Sequence, residues 1–444
     1  MIGFHWPDGR GVSGATIAAA PFRPLLAEEN DIQKLHRDMS MPKSPQPTRD
    51  HYKIVILGGG SAGLTIAARL KRALPSADFD VAIVEPSATH DYQPLWTLVG
   101  GGVCRKEITR RAESKYIPAG AAWIQDKVAE IRGAENKIVT AGGRSVGYDY
   151  LVVALGIKIL WDGIPGLKES LGSNGVCSNY SYDTVDYTWE CIRNFRGGTA
   201  IFTMPGTPVK CGGAPQKIMY LADEAFRKQG VRDNSRVVYV SALKQIFAIE
   251  RYRKTLEAVI ARKGLETKFQ HEVTAIDGPA HKATVVNKET GESGEMQFDM
   301  MHVTPPMGPP DAIKNSDIAD AAGWADVDKY TLRSTKFANV YAAGDCINAP
   351  CAKTGAAVRK QAPVVVANLA AQMKSLEPSA KYDGYGSCPL VTGYGKLVMA
   401  EFGYDGSILE SFPFDQSKER WSMYQVKRHL LPQLYWNGML KGRA

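Results

Sequence analysis

Short apolar runs, each followed by a stretch with helical spacing, set the rhythm of this chain. Between residues 51 and 85, "KIVIL" reads as a strand and "FDVAIVE" as a second one. The intervening "SAGLTIAARLKRAL" places its apolar residues at the three-to-four spacing of a helix with one buried face. "YDYLVVALG" (148–156), "TAIFTMP" (199–205) and "FANVYAAGDCINAP" (337–350) supply further strands, and "IQDKVAEI" another. Residues 235–265, "SRVVYVSALKQIFAIERYRKTLEAVIARKGL", repeat the order of strand then helix. The expectation is an α/β fold.

Gly58, Gly60 and Gly63 form G-x-G-x-x-G at the first strand-to-helix turn, and Glu85 ends the second strand. The glycines allow a tight turn and a close approach to a pyrophosphate, the helix N-terminus offers unpaired N–H groups, and the acid accepts hydrogen bonds from a ribose. This is a dinucleotide-binding, Rossmann-like start. Gly344-Asp345, after an apolar strand far downstream, resembles the second signature of the two-dinucleotide flavoproteins, in which the aspartate holds the ribityl chain. That resemblance selects FAD over NAD.

Flavoproteins of that kind carry a second glycine motif for NAD(P)H. Its expected place, 235–265, has no glycine before Gly264, and Leu243, Gln245 and Phe247 stand where a pyrophosphate needs bare backbone. The nicotinamide site is therefore read as lost, and electrons must reach the flavin from another donor.

Composition narrows the donor. With 44% hydrophobic and 23% charged residues the chain is an ordinary globular one, and no run of eighteen apolar residues predicts a membrane span. The first fifty residues balance six Lys/Arg against six Asp/Glu, so the net charge of +8 belongs to 51–444. That balance fits neither a transit nor a signal peptide, and 1–50 is expected to be a disordered or mis-annotated extension with Met41 as an alternative start. No dense basic run points to nucleic acid. Seven cysteines scattered through the chain make no disulfide framework and no metal-ligand spacing, so no metal is expected.

Thiol chemistry then becomes the alternative. Cys211, in "TPVKCGGAPQK", follows a strand and lies against two glycines, at a turn where backbone can approach a ligand. Cys388, in "YDGYGSCPLVTGY", is likewise expected in a Gly/Pro turn just ahead of a strand. The sequence alone does not show that the two meet. Cys346 and Cys351 imitate the C-x-x-x-x-C redox spacing, but they follow Gly344-Asp345 rather than the first glycine motif, and Cys346 is read as a small packed residue.

Six blocks carry a family resemblance: "EPSATHDYQPLWTLVGGG", "TPVKCGGAPQKIMYL", "HVTPPMGPPD", "ADAAGWADVD", "YDGYGSCPLVTGY" and "SFPFDQSKERWSMY". From about His51 to Gly442 the chain resembles the sulfide:quinone oxidoreductases of the mitochondrial-like type. The resemblance implies two Rossmann-like domains of the glutathione-reductase type plus a C-terminal membrane-docking region. The expected division is 1–50 extension, 51–165 first FAD part, 166–300 second Rossmann-like domain, 301–375 second FAD part and 376–444 quinone and membrane region. It also implies that Cys211 and Cys388 form a redox-active disulfide beside the flavin. Sulfide leaves a persulfide on Cys388, Cys211 is the flavin-side thiolate, and a small thiol or sulfite removes the sulfur. Whether the pair is bonded at rest or bridged by an extra sulfur stays open.

The carried-over FAD contacts are Gly58, Gly60, Ser61, Ala62 and Gly63 at the pyrophosphate, Glu85 at the ribose, Gln93 near the flavin and Val128 at adenine. Gly344 and Asp345 belong to the ribityl chain, with Lys353 and Thr354 opening a helix toward the flavin. Tyr394, Phe412 and Phe414 are candidate contacts for ubiquinone or another membrane quinone. At the C-terminus Trp421, Tyr424, Leu430, Leu431, Leu434, Tyr435, Trp436, Met439 and Leu440 mix with basic residues as in an interfacial amphipathic segment, which Pro432 is expected to break in two. The implied location is a peripheral one on a lipid bilayer, either the bacterial cytoplasmic or the mitochondrial inner membrane.

Overall fold

The computed structural model describes residues 48–444, so the expectation for the N-terminal extension lies almost wholly outside the described residues. In chain order, the elements that position the site begin with β1 (His51–Leu57), α1 (Ser61–Ala73), β2 (Val81–Val84), α2 (Trp96–Gly100), β3 (Ala122–Ile124), β4 (Val128–Arg132), β5 (Lys137–Thr140) and β6 (Ser145–Val153). A second unit follows with β7 (Val176–Cys177), α3 (Val185–Asn194), β8 (Gly198–Met204), α4 (Ala214–Lys228), β9 (Ser235–Ser241), α5 (Glu250–Lys263), β10 (Glu266–Phe269) and β11 (Met300–His302). The chain then returns through β12 (Val340–Ala342), α6 (Gly355–Gln372) and the hairpin β13 (Gly386–Gly393) and β14 (Lys396–Phe402).

Two sheets result. The first has seven strands in the order β3-β2-β1-β6-β5-β4, with β12 paired to β6, so a strand some 190 residues downstream completes the sheet begun by β1. The second is parallel throughout, in the order β7-β11-β8-β9-β10. Strands β2 and β8 carry apolar runs without alternation because both of their faces are buried; β8 lies between α4 and the antiparallel strands of 271–287, so neither face meets water. A three-stranded antiparallel sheet over 271–297 packs against the second unit.

Three expectations change. Cys388 lies inside β13, opposite Ala400, and not in a turn before it. Pro389 does not end the strand because β13 has one partner only, β14, and a residue without an N–H fits where that group would point away from the partner. Second, the strand-turn-helix unit at the centre of the second sheet is β8-α4, not β9-α5, so the loop that corresponds to a nicotinamide motif is 205–213. That loop holds Gly206, Gly212 and Gly213 without G-x-G-x-x-G spacing, so the motif's absence stands while its place moves. Third, Pro432 does not break the C-terminal segment. Helical turns run from Trp421 to Lys441, and the wider turns at Val426–Leu430 and Leu434–Gly438 relieve the bond and the space that proline denies a regular helix.

Candidate active site

The glycine motif of β1-α1 is shaped by contacts that no side chain would permit. Gly58 has φ +99°, and a Cβ there would lie 2.5 Å from the carbonyl oxygen of Ala154 at the end of β6. A Cβ on Gly63 would lie 1.9 Å from the Gly58 carbonyl oxygen. Gly60 differs, because nothing lies within 4 Å of the position its Cβ would take. Two glycines thus close the turn and the middle one leaves a bare approach. Glu85 Oε2 accepts from the Gly59 N–H at 2.7 Å, and Oε1 from the Ser87 N–H at 2.7 Å, so the acid is fixed against the motif.

Gly344 joins the second signature to the first: a Cβ there would sit 3.2 Å from the Ala62 Cβ, and its N–H donates to Gln361 Oε1 at 2.8 Å. Asp345 follows, with burial pushing its carboxyl up. Thr354 caps α6, its hydroxyl accepting from the Ala357 N–H at 3.2 Å. Lys353 is not a solvated lysine; its ammonium donates to the carbonyls of Asp345 (2.6 Å) and Ile347 (3.1 Å) and lies 4.0 Å from the Trp324 ring centre. Gln93 is exposed and Val128 begins β4 opposite Thr140.

The β8-α4 loop reaches this cradle. Gly206 donates to Glu272 Oε1 at 2.8 Å, Thr207 Oγ1 accepts from the Met307 N–H at 3.0 Å, and the Cys211 N–H donates to the Lys353 carbonyl at 2.9 Å. So pinned, Cys211 is held at φ +56°, a left-handed conformation that a residue with a side chain adopts at a cost of about 1–2 kcal/mol. Free space surrounds the place of a Cβ on Gly212, as it does on Gly60, Gly156 and Gly355.

The fold brings Cys211 and Cys388 together: their thiols hydrogen-bond to each other, as free cysteines, across the junction of α4 and β13. Gly213 permits it, since a Cβ there would lie 2.5 Å from Leu390 Cδ2 and 3.7 Å from the Cys388 Cβ. Lys217, one turn into α4 and 2% exposed, donates to Cys211 Sγ at 3.1 Å. The hydrogen bond from Cys388, helped by the Lys217 charge, holds the Cys211 thiol well below the ordinary thiol range. The same hydrogen bond, together with burial, pushes Cys388 well above it. The pair is thus asymmetric, with Cys211 the sulfur that ionises more readily.

Two further lysines reach the site, and nothing in local sequence distinguished them. Burial, with repulsion from Lys217, pulls Lys427 of the C-terminal segment down to about 7. Its ammonium donates to the Pro94 carbonyl at 2.9 Å, next to Gln93. Lys210, within the cysteine loop, is pulled down to about 8 by burial, against the charges of Asp345 and Asp91. The signal for Lys427 was a lysine within an apolar helical stripe, legible only as a surface charge without the fold.

The quinone candidates do not converge. The Tyr394 hydroxyl donates to the Gly101 carbonyl at 2.8 Å with Lys228 over its ring, whereas Phe412 and Phe414 stack on each other with Arg420 against Phe414. The C-terminal stripe divides: Tyr424, Tyr435, Trp436, Met439 and Leu440 are buried, while Trp421 and Leu430 are 68% and 58% exposed. The Tyr435 hydroxyl bonds both Ser61 Oγ, at 2.7 Å, and His90, which in turn meets the buried Glu113. Among the described residues no helix is long and apolar enough to cross a membrane, and no His/Cys/Asp/Glu group could hold a metal ion. Cys346 is fully buried, its thiol against the Val153 carbonyl.

The model of the family described as "Pyridine nucleotide-disulphide oxidoreductase" matches residues 52–185 and 221–368. A mitochondrial sulfide:quinone oxidoreductase of Mus musculus is 45% identical over 89% of this chain and 87% of its own length. The chain belongs to the sulfide:quinone oxidoreductase family. The Dictyostelium discoideum mitochondrial sulfide:quinone oxidoreductase is 44% identical over 90% of this chain and 88% of its own. The crystal structure of the sulfide:quinone oxidoreductase from Aquifex aeolicus shares the fold, with TM-score 0.74 at 17% identity, covering 89% of this chain and 93% of that one. The family's cofactor is FAD, and the residues present fit it: an open face at Gly60, the Glu85 carboxylate fixed against the glycine motif, and Gly344 closing on Ala62.

Proposed function

We propose that Cys211 and Cys388 are the redox pair of this sulfide:quinone oxidoreductase, an FAD-dependent enzyme that oxidises hydrogen sulfide and reduces a quinone. The observation that carries the assignment is their contact, which sets Cys388 of β13 against the loop where related flavoproteins would bind a nicotinamide. FAD, when bound, accepts two electrons and returns them to the quinone. Gly58, Gly60, Ser61, Ala62 and Gly63 hold its pyrophosphate, Glu85 its ribose, Gly344 and Asp345 its ribityl chain. Gln93, Val128, Lys353 and Thr354 complete the assigned contacts.

In the oxidised enzyme the two sulfurs are bonded. Hydrosulfide attacks Cys388 Sγ, the S–S bond breaks, and the products are a Cys388 persulfide and a Cys211 thiolate. Lys217 stabilises that thiolate, which lowers the leaving sulfur's basicity and speeds the break. A small thiol or sulfite then takes the outer sulfur, leaving Cys388 as a thiolate that feels the charge of the buried Lys427. Re-forming the disulfide releases two electrons. The Cys211 loop lies against Lys353 at the head of α6, so Cys211 would be the sulfur on the side of the cradle where FAD would accept them. We assign Tyr394 or the Phe412/Phe414 stack to quinone contact, and exposed Trp421 and Leu430 to a lipid surface.

Anaerobic titration of the flavin absorbance tests the reading. Sulfide should bleach the holoenzyme and a short-chain quinone restore it, while NADH should do nothing. Cys211→Ser and Cys388→Ser should each abolish bleaching by sulfide; full bleaching in both, or bleaching by NADH, would overturn the assignment.

A further inference from the structure

A second pair of cysteines lies outside this site. Cys177 ends β7 and is fully buried, with its Sγ 3.5 Å from the Met301 carbonyl oxygen. Cys191 stands one turn from the end of α3 and is half-buried. The two thiols hydrogen-bond to each other, and the Tyr187 hydroxyl, which accepts from the Gly175 N–H at 3.2 Å, bonds Cys191 as well. Beside them a surface cavity of about 340 Å³ is lined by Cys191, Tyr187, Glu190, Asn194, Arg196 and Asp299. One sulfur therefore faces a space the size of a small molecule, and the other stands directly behind it.

We infer that Cys177 and Cys191 are a second redox dithiol, in which Cys191 receives a small sulfur–sulfur oxidant from the cavity and Cys177 resolves it to an internal disulfide. The oxidant is of the class R–S–S–X, with X either a second R (a low-molecular-weight disulfide) or hydrogen (a persulfide). Cys191 attacks the electrophilic sulfur and forms a mixed disulfide, expelling one half of the oxidant as a thiol. Cys177 then attacks Cys191 Sγ and expels the other half. Two cysteine thiols are oxidised, the S–S bond of the oxidant is reduced, and the two cysteine protons end on the leaving sulfurs, as R–SH and X–SH.

The hydrogen bond from Cys177 draws the Cys191 thiol down, while burial pushes the Cys177 thiol up, which orders the roles of attacking and resolving sulfur. Closure would tie β7 to α3. The Trp189 ring of α3 packs on Gly102, where an added Cβ would lie 2.5 Å away, so the bond would stiffen the support of α2. The inference stands independently of the roles given to Cys211 and Cys388.

Both cysteines fall in one tryptic peptide, 169–193, because no lysine or arginine lies between Lys168 and Arg193. The full-length holoenzyme, reduced and freed of reductant under anaerobic conditions, is treated with glutathione disulfide in one arm and glutathione persulfide in the other, then alkylated and digested. The expected product is the peptide two hydrogens lighter and without alkylation, in place of the doubly alkylated form. Closure in the persulfide arm alone assigns the oxidant as persulfide, and closure in the disulfide arm alone as disulfide. In Cys177→Ser, Cys191 should stop as the mixed adduct. Full alkylation of both cysteines in both arms, or a wild-type product that stops as an adduct on Cys191, would overturn the inference.

Discussion

Replacing Lys217 with methionine should raise the pH at which Cys211 ionises. The ammonium lies 3.1 Å from Sγ and is 2% exposed, so neither water nor salt screens it well. At an effective dielectric of about 20 the attraction at that distance is about 5 kcal/mol. Part of this is spent on desolvating the lysine and the sulfur, and the hydrogen bond from Cys388, the largest influence on Cys211, survives the change. A net loss of about 3 kcal/mol corresponds to about two pH units. Methionine keeps the volume, so the fold should persist. The assay is the pH dependence of alkylation of Cys211 in the reduced enzyme, read by peptide mass. The midpoint should rise by about two pH units in Lys217→Met and by much less in Lys217→Arg. An unchanged midpoint in Lys217→Met would refute the idea that this lysine holds the thiolate.

Three other outcomes are expected. Gly63→Ala sets a methyl 1.9 Å from the Gly58 carbonyl oxygen, a backbone atom with no room to yield, so the purified variant should carry little FAD, read as the ratio of flavin to protein. Tyr435→Phe removes the hydroxyl shared by Ser61 and His90 and should cost about 1–3 kcal/mol in denaturant unfolding while loosening FAD, measured as flavin release on dilution. Glu113, 1% exposed, has its carboxyl pushed up to about 7, chiefly by burial. Its contribution to stability is full below about pH 4.5, falls as pH rises through 7 and totals about 3 kcal/mol, so thermal stability should drop from pH 5 to pH 8 and Glu113→Gln should flatten that slope.

The linear sequence by itself determined whatever depends on neighbours in the chain. The glycine motif, its strand and helix and the turn at Gly344-Asp345 were legible because a tight βα turn constrains residues within a few positions of one another, and the acid at Glu85 because it ends the next strand along the chain. Cys211 was conspicuous for the same reason, its glycines marking a backbone that must come close to something. Its partner was not determined there. Cys388 reads locally as a turn residue beside a proline; only the pairing of β13 with β14, and the packing of that hairpin on α4, set its sulfur against Cys211.

The ionisation of that pair depends on Lys217 and Lys427, whose burial is a tertiary fact that pattern cannot supply, since lysines at such spacing ordinarily face water. The C-terminal segment shows the limit most clearly. One amphipathic pattern contains residues that pack on α1 and residues left exposed, and the division between Trp436 and Trp421 is made by where His90, Tyr92 and Tyr116 stand more than 300 residues earlier. Hydrophobicity states that a side chain must leave water, and the surfaces that receive it are decided by the folded chain.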